Sequence, residues 1–363
     1  MAAREALSHA APQRAFHAHA PSHEVDLEAA RALVIEAAGA CGFHRQRKSQ
    51  PLSTWLGLPA LPVLAEAARA DRPWPPFRRA MRDGYALRWA EVGAPLRCMG
   101  EVRAGAAAAP PCPPGTCLAI MTGAPVPDNL DTVVMIEHTR ADGEWIEFSP
   151  GARVGDNIAA MGSDSSAGAL VAAVNSRCSP AALGAAAAAG VTEPMVWPPP
   201  RVAILATGDE LVPASANPAA GQIRNSNGPM LAAQCRRYGG EVVCERLVPD
   251  DVSALERALE AALAADVDAV LFSGGASVGA ADLVAPLLAR RGIPLGFDAV
   301  RVRPGRPVLF GTLEGRLYFG LPGNPLGALI ACALLVRPAL ERLAGLAPER
   351  LTPVTMAAGL GFD

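Results

Sequence analysis

From Arg201 to about Ala344, apolar runs of strand length alternate with stretches whose apolar residues recur at helical spacing. That alternation predicts a mostly parallel sheet wrapped by helices. Arg201–Thr207 reads as a buried strand, residues 229–237 as a helix closed by Gly239 and Gly240, and residues 241–248 as the next strand. Ser253 and Glu256 are spaced as a capping box ahead of Leu255, Leu259 and Leu263, which share one helix face. Strands over 267–272 and 317–320 follow, with the stretch from Gly275 to Asp282 leading into a helix between them. The expectation is a three-layer α/β domain over residues 199–345.

The first half has another texture. Residues 25–66 mix helical spacing with Pro and Gly breaks, and the Pro-rich stretch from Arg72 to Phe77 forces an extended crossing. Short Val- and Ile-rich runs such as 132–136 and 145–148 are separated by Gly, Pro and Asp turns, which predicts a β-rich insert over 93–164. Ser179, Pro180 and Gly190 mark a helix by its cap, its first position and its stop, before a linker of three prolines at 198–200. A tail over 1–23, expected to be disordered, and an N-terminal mixed helical and extended region, 24–92 with 165–198, complete the division.

Composition narrows the function classes. Thirty-two basic residues against 35 acidic give a net charge of −3, which leaves no positive field for nucleic acid or an anionic membrane surface. Although 51% of the 363 residues are hydrophobic, the longest apolar run, Leu326 to Val336, stops at Arg337 and Pro338, short of the ~20 residues a bilayer needs. Lys48 is the only lysine, so arginine must serve wherever a cation is needed. The eight cysteines form no Cys-x-x-Cys pair and no zinc spacing, as expected of reduced thiols in a cytoplasmic protein. His17, His19 and His23 lie in an alanine-rich segment that reads as a frayed terminus rather than a metal site.

Polar residues collect where the predicted strands end. Thr207-Gly208-Asp209-Glu210 follows the first, Asp250-Asp251 the second, Ser273-Gly274-Gly275-Ala276-Ser277-Val278-Gly279 and then Asp282 the third, and Pro322-Gly323-Asn324 a fourth. Ligands of open α/β sheets bind at such ends, where loop and helix N–H groups are unpaired. Glycine turns admit a phosphate, and carboxylates beside that anion need a cation between, so a phosphate-bearing ligand bridged by Mg²⁺ is the expectation. Taken singly, the acidic pieces also read as turns and helix caps. No Gly-Lys-Ser/Thr loop and no Gly-x-Gly-x-x-Gly is present. Arg303-Pro304-Gly305-Arg306-Pro307 offers two guanidinium forks beside a rigid turn, suited to a tetrahedral oxyanion or phosphate, or simply an exposed basic turn. Arg82-Asp83-Gly84-Tyr85-Ala86 and the stretch from Ile120 through Thr122 to Pro127 read as tight turns with no function assignable from the residues alone.

Together these segments resemble the molybdopterin molybdenumtransferase family, which includes the C-terminal domain of gephyrin, over residues 25–345. The matching residues are those just quoted, with Asp131, Glu137, Gly155-Asp156-Asn157-Ile158, Gly162-Ser163-Asp164 and Gly221-Gln222-Ile223-Arg224-Asn225-Ser226-Asn227. The resemblance implies an elongated homodimer whose α/β domain binds molybdopterin and faces the partner subunit's β-rich domain. It implies a reaction on adenylylated molybdopterin and molybdate that releases AMP with Mg²⁺, and, as partners, a molybdopterin adenylyltransferase and cofactor-accepting proteins. Carried over by motif, Asp83, Thr122, Glu210, Asp251 and Asp282 are the catalytic candidates, and Glu210, Asp251 and Asp282 also the Mg²⁺ ligands. Thr207, Gly208, Asp209, Ser273, Gly274, Gly275, Ser277, Gly279, Arg303, Arg306, Pro322, Gly323 and Asn324 would bind the cofactor. The chain departs from the family pattern at Ala80, where a serine is usual in the cleft, at Arg303 and Arg306, which are usually lysines, and at Asn129, usually a turn glycine. The family usually continues into a C-terminal β-domain, of which this chain has room for the first strand in 346–363. A non-catalytic cofactor-binding protein and a molybdopterin adenylyltransferase are the alternative functions.

Overall fold

The computed structural model describes residues 23–41, 46–274, 283–349 and 351. Gly275, Ser277, Gly279, Asp282, the tail up to residue 22 and nearly all of the expected final strand lie outside the described residues. Two compact units emerge, one from Met1–Lys48, Gly57–Val63 and Trp197–Asp363, the other from Ser49–Leu56 and Leu64–Val196.

The first helix, α1 (Leu27–Ala40), is capped by Asp26, whose carboxylate accepts the Ala29 N–H at 2.8 Å. Its buried residues Ala30, Val34 and Ala38 recur every four positions and join the α/β core. The N-terminal segment therefore folds with the α/β unit, whereas the sequence reading grouped it with residues up to 92.

The other unit is built on six strands: β1 (Gly84–Leu87), β2 (Leu96–Val102), β3 (Thr116–Ile120), β4 (Thr132–Met135), β5 (Thr139–Asp142) and β6 (Trp145–Phe148), in spatial order β5-β6-β2-β3-β1-β4. β1 lies upstream of the expected insert boundary at 93 yet is a central strand. Pairing requires Gly84 there, since a Cβ would come within 1.9 Å of the Val134 carbonyl oxygen. Helix α2 (Pro180–Ala188) starts at Ser179, whose hydroxyl accepts the Ala182 N–H, as its sequence signals predict. Ala80 is 1% exposed in this unit's apolar core, so the absent serine hydroxyl would have been an interior group rather than a cleft surface. Asn129 avoids the left-handed region and instead donates its amide to the Cys112 carbonyl at 3.2 Å.

In the α/β unit the chain runs β7 (Arg201–Thr207), α3 (Asn227–Arg237), β8 (Glu241–Val248), α4 (Val252–Ala264), β9 (Ala269–Ser273), α5 (Val284–Arg290), β10 (Leu295–Phe297), β11 (Leu309–Leu313), β12 (Arg316–Leu321), α6 (Pro325–Ala331), a π-helical turn over Cys332–Val336, and α7 (Arg337–Leu343). The sheet order is β8-β7-β9-β12-β11-β10, with the first four parallel to one another, β11 antiparallel to β12, and β10 antiparallel to β11. Alternate residues of β7 divide the core. Val202 and Ile204 pack with α1, α3, α6 and α7, while Ala203 and Leu205 pack with α4 and α5. Burial on both faces is why β7 and β9 are near-continuous apolar runs.

The cap of α4 differs from the expected Ser253–Glu256 box. Asp251 is the N-cap and accepts the Ala254 N–H at 2.7 Å, while Glu256 is drawn away to Arg291 at 3.1 Å. All eight cysteines are free, and burial pushes the Cys117 thiol up to about 12, which keeps it protonated and inert at neutral pH. Among the described residues, no helix is long and apolar enough to cross a membrane.

Candidate active site

The carboxyl ends of β7, β8, β9 and β12 converge. Thr207, 3% exposed, donates its hydroxyl to Asp250 Oδ1 at 2.6 Å. Asp209 and Asp250 then lock their loops reciprocally: the Asp250 N–H donates to Asp209 Oδ1 at 3.0 Å, and the Asp209 N–H to Asp250 Oδ2 at 3.4 Å. Gly274 sits at φ +90°, where a Cβ would approach the Thr207 carbonyl oxygen to 2.2 Å. Only glycine fits between these two strand ends. A Cβ on Gly323 would lie 3.8 Å from the Gly274 Cα, so the turn after β12 touches the turn after β9. Asn324 caps α6 by accepting the Leu326 and Gly327 N–H groups at 2.9 and 3.2 Å. The basic turn joins the same rim, since the backbone of Gly305 packs on that of Gly327, whose own Cβ position is 3.1 Å from Pro322.

Four carboxylates, Asp209, Glu210, Asp250 and Asp251, stand on two of these loops, and among the described residues none is ion-paired to an arginine. Glu210 folds back over Gly208, with its carboxylate oxygens 2.7 and 2.9 Å from where a Cβ of that glycine would be, and that carboxylate takes no hydrogen-bond partner among the described residues. Asp251 spends Oδ1 on the helix cap. Among the described residues, no three His, Cys, Asp or Glu side chains gather as a ready-made metal site. That arrangement still fits Mg²⁺, which is ordinarily held by one or two carboxylates together with substrate phosphates and water rather than by an all-protein cage. Asp282, the third expected ligand, lies outside the described residues. The two arginines part company: Arg306 is tied to Glu24 at 2.7 Å, whereas Arg303 is exposed and has no partner among the described residues.

In the β-rich unit, the turn before β1 and the loop after β3 bring Asp83 and Thr122 together. Both the N–H and the hydroxyl of Thr122 donate to Asp83 Oδ1 at 2.7 Å. The two donors, the backbone one foremost, hold the Asp83 carboxyl below the usual carboxylate range. Such a group contributes to stability above its unfolded pKa, and that contribution is lost as pH falls through the lowered folded value. Thr122→Val removes the weaker donor, and the expected result is an Asp83 titration moved part of the way back up, read by carboxyl ¹³C shifts; an unchanged titration would show that the hydroxyl does not act on it.

The description "MoeA N-terminal region (domain I and II)" matches residues 25–190, and "Probable molybdopterin binding domain" matches residues 203–342. A molybdopterin molybdenumtransferase of Nostoc sp. is 33% identical over 295 residues, covering 78% of this chain and 67% of that protein. The chain belongs to the molybdopterin molybdenumtransferase family. Another relative, molybdopterin molybdenumtransferase 2 of Mycobacterium tuberculosis, is 34% identical over 315 residues, with 84% of this chain and 76% of the relative covered. A crystal structure of a molybdopterin biosynthesis protein from Pyrococcus horikoshii superposes with a TM-score of 0.68 at 29% identity, over 88% of this chain and 80% of that one. Family membership gives the rim residues a shared context, but it is the local geometry that says which are free to act. Sequence reasoning passed over the role of Asn227, quoted only as part of a motif, because its partners are 46 and 96 residues away in the chain.

Proposed function

We propose that this chain is a molybdopterin molybdenumtransferase that takes adenylylated molybdopterin and molybdate and releases AMP as the metal enters the dithiolene. One observation carries the reading at the level of chemistry: glycine turns that touch one another at Gly274 and Gly323 stand beside carboxylates with no cationic partner among the described residues. Backbone N–H groups of such turns take a diphosphate, and the acids beside it require a divalent cation to share. Glu210 and Asp251, with Asp282, would hold Mg²⁺, which would supply charge neutralisation to the diphosphate. The chain's own groups bind and orient. Ser273, Gly274 and the turn of residues 322–324 cradle the phosphates, Thr207 and Asp250 keep the first two strand ends in register, and Arg303 draws in the molybdate oxyanion. Asp83, kept ionised by Thr122, is the candidate to take the proton from a water that attacks the pterin-side phosphorus, as the P–O bond to the bridging oxygen breaks and AMP departs carrying that oxygen. A homodimer in the cytoplasm, receiving substrate from an adenylyltransferase and passing product to cofactor-accepting proteins, is the setting that goes with this reading.

Incubation with adenylylated molybdopterin, molybdate and Mg²⁺ is expected to release AMP, followed by chromatography. Tight binding of the substrate without release would replace the transferase by a cofactor-binding protein, and consumption of ATP with molybdopterin would replace it by an adenylyltransferase.

A further inference from the structure

The segment of residues 221–227 links the acid loop to the glycine cradle. The Ile223 N–H donates to the Glu210 carbonyl at 2.8 Å, and the Asn225 N–H donates to the Val212 carbonyl at 2.8 Å. Asn225, 8% exposed, then accepts the Gly228 N–H from the first turn of α3 at 2.9 Å. Two residues on, Asn227 is equally buried and reaches across the rim with its amide nitrogen, donating to Ser273 Oγ at 2.9 Å and to the Gly323 carbonyl at 2.8 Å. One side chain on α3 thus fastens the exits of β9 and β12 to each other.

Two features argue that this is more than packing. The Asn227 Oδ1 is buried with no hydrogen-bond partner, an unfavourable state that a purely apolar side chain of similar size would avoid. What the asparagine supplies in return is its pair of donors. The acceptor role it imposes on Ser273 also fixes that hydroxyl's orientation: Oγ receives the Asn227 N–H, so its own proton is directed elsewhere and has no acceptor among the described residues.

We infer that Asn227 is a positioning residue that holds the Ser273 hydroxyl as a donor, and the turn at Gly323 in place, for the diphosphate of the substrate. The inference rests on the transferase reading of this rim. Because the groups it positions bind the ground state, its loss raises KM and leaves kcat nearly unchanged, whereas a merely structural residue would reduce the active fraction and lower kcat at constant KM.

The experiment compares wild type, Asn227→Leu, Ser273→Ala and the double variant by AMP release from adenylylated molybdopterin, with the folded fraction measured by circular dichroism at the assay temperature. Asn227→Leu is expected to raise KM about tenfold to thirtyfold with kcat per folded molecule within about threefold of wild type, in keeping with two lost hydrogen bonds. In the Ser273→Ala background the same change is expected to raise KM by only about threefold, because the hydroxyl it serves is gone. A KM within twofold of wild type in Asn227→Leu, or a full multiplicative effect in the double variant, overturns the inference while wild-type AMP release leaves the transferase reading standing. Wild-type protein that releases no AMP overturns the transferase reading and the inference with it.

Discussion

Glu210→Gln is expected to reduce AMP release by at least about a hundredfold, the scale on which a lost transition-state charge partner acts, while the thermal midpoint moves by less than about 2 °C. The asymmetry follows from where the side chain is. Its carboxylate is exposed, folds over Gly208 and takes no partner among the described residues, so the amide removes charge without removing a structural contact seen there. Asp251 is a poorer test of the same idea, because it caps α4 and its removal would cost roughly 1 kcal/mol of stability as well. A Glu210→Gln enzyme that keeps wild-type turnover removes this carboxylate from the machinery; one that loses activity and thermal stability together makes it a structural residue.

The second large effect is on the fold at the cradle itself. Gly274→Ala places a methyl 2.2 Å from the Thr207 carbonyl oxygen on a backbone at φ +90°. Left-handed strain and overpacking together are expected to cost about 3–5 kcal/mol in urea unfolding. Gly292 makes the matched control in the same unit, since it too has a positive φ, of +68°, but nothing lies within 4 Å of its Cβ position. Gly292→Ala should cost only the strain, about 1 kcal/mol. Equal losses in the two variants would mean that the contact between the ends of β7 and β9 is not the tight one described.

The elements that were legible in the sequence are those whose causes are local. Arg201–Thr207 and Trp145–Phe148 are strands with the predicted bounds because their apolar runs end at turn residues, and α2 begins at Ser179 and Pro180 because cap and first-turn chemistry lie within three residues. Where the cause is distant, local reading fails. α1 carries an ordinary amphipathic pattern, yet its partners begin some 160 residues further on at Val202. Glu256 has the spacing of a capping box, but Arg291 and the better-placed Asp251 decide otherwise. β10 and β11 were missed as short strands set among Gly and Pro. The candidate site shows the same division. Its residue types were readable one strand end at a time, but the Thr207–Asp250 bond, the engagement of Arg306 by Glu24 and the reach of Asn227 to two strand exits are tertiary facts.

The central claim is that the diphosphate rests on the glycine cradle at the ends of β9 and β12 with its cation toward the acid loop. A crystal structure of the protein with Mg²⁺ and a non-hydrolysable adenylylated pterin tests it directly. The predicted result is phosphate oxygens within hydrogen-bond distance of the Ser273 hydroxyl and the amides of Gly274 and Gly323, with Mg²⁺ bound between them and Glu210. Density for the ligand away from these turns, or a bound diphosphate that neither Glu210 nor any cation approaches, would contradict it.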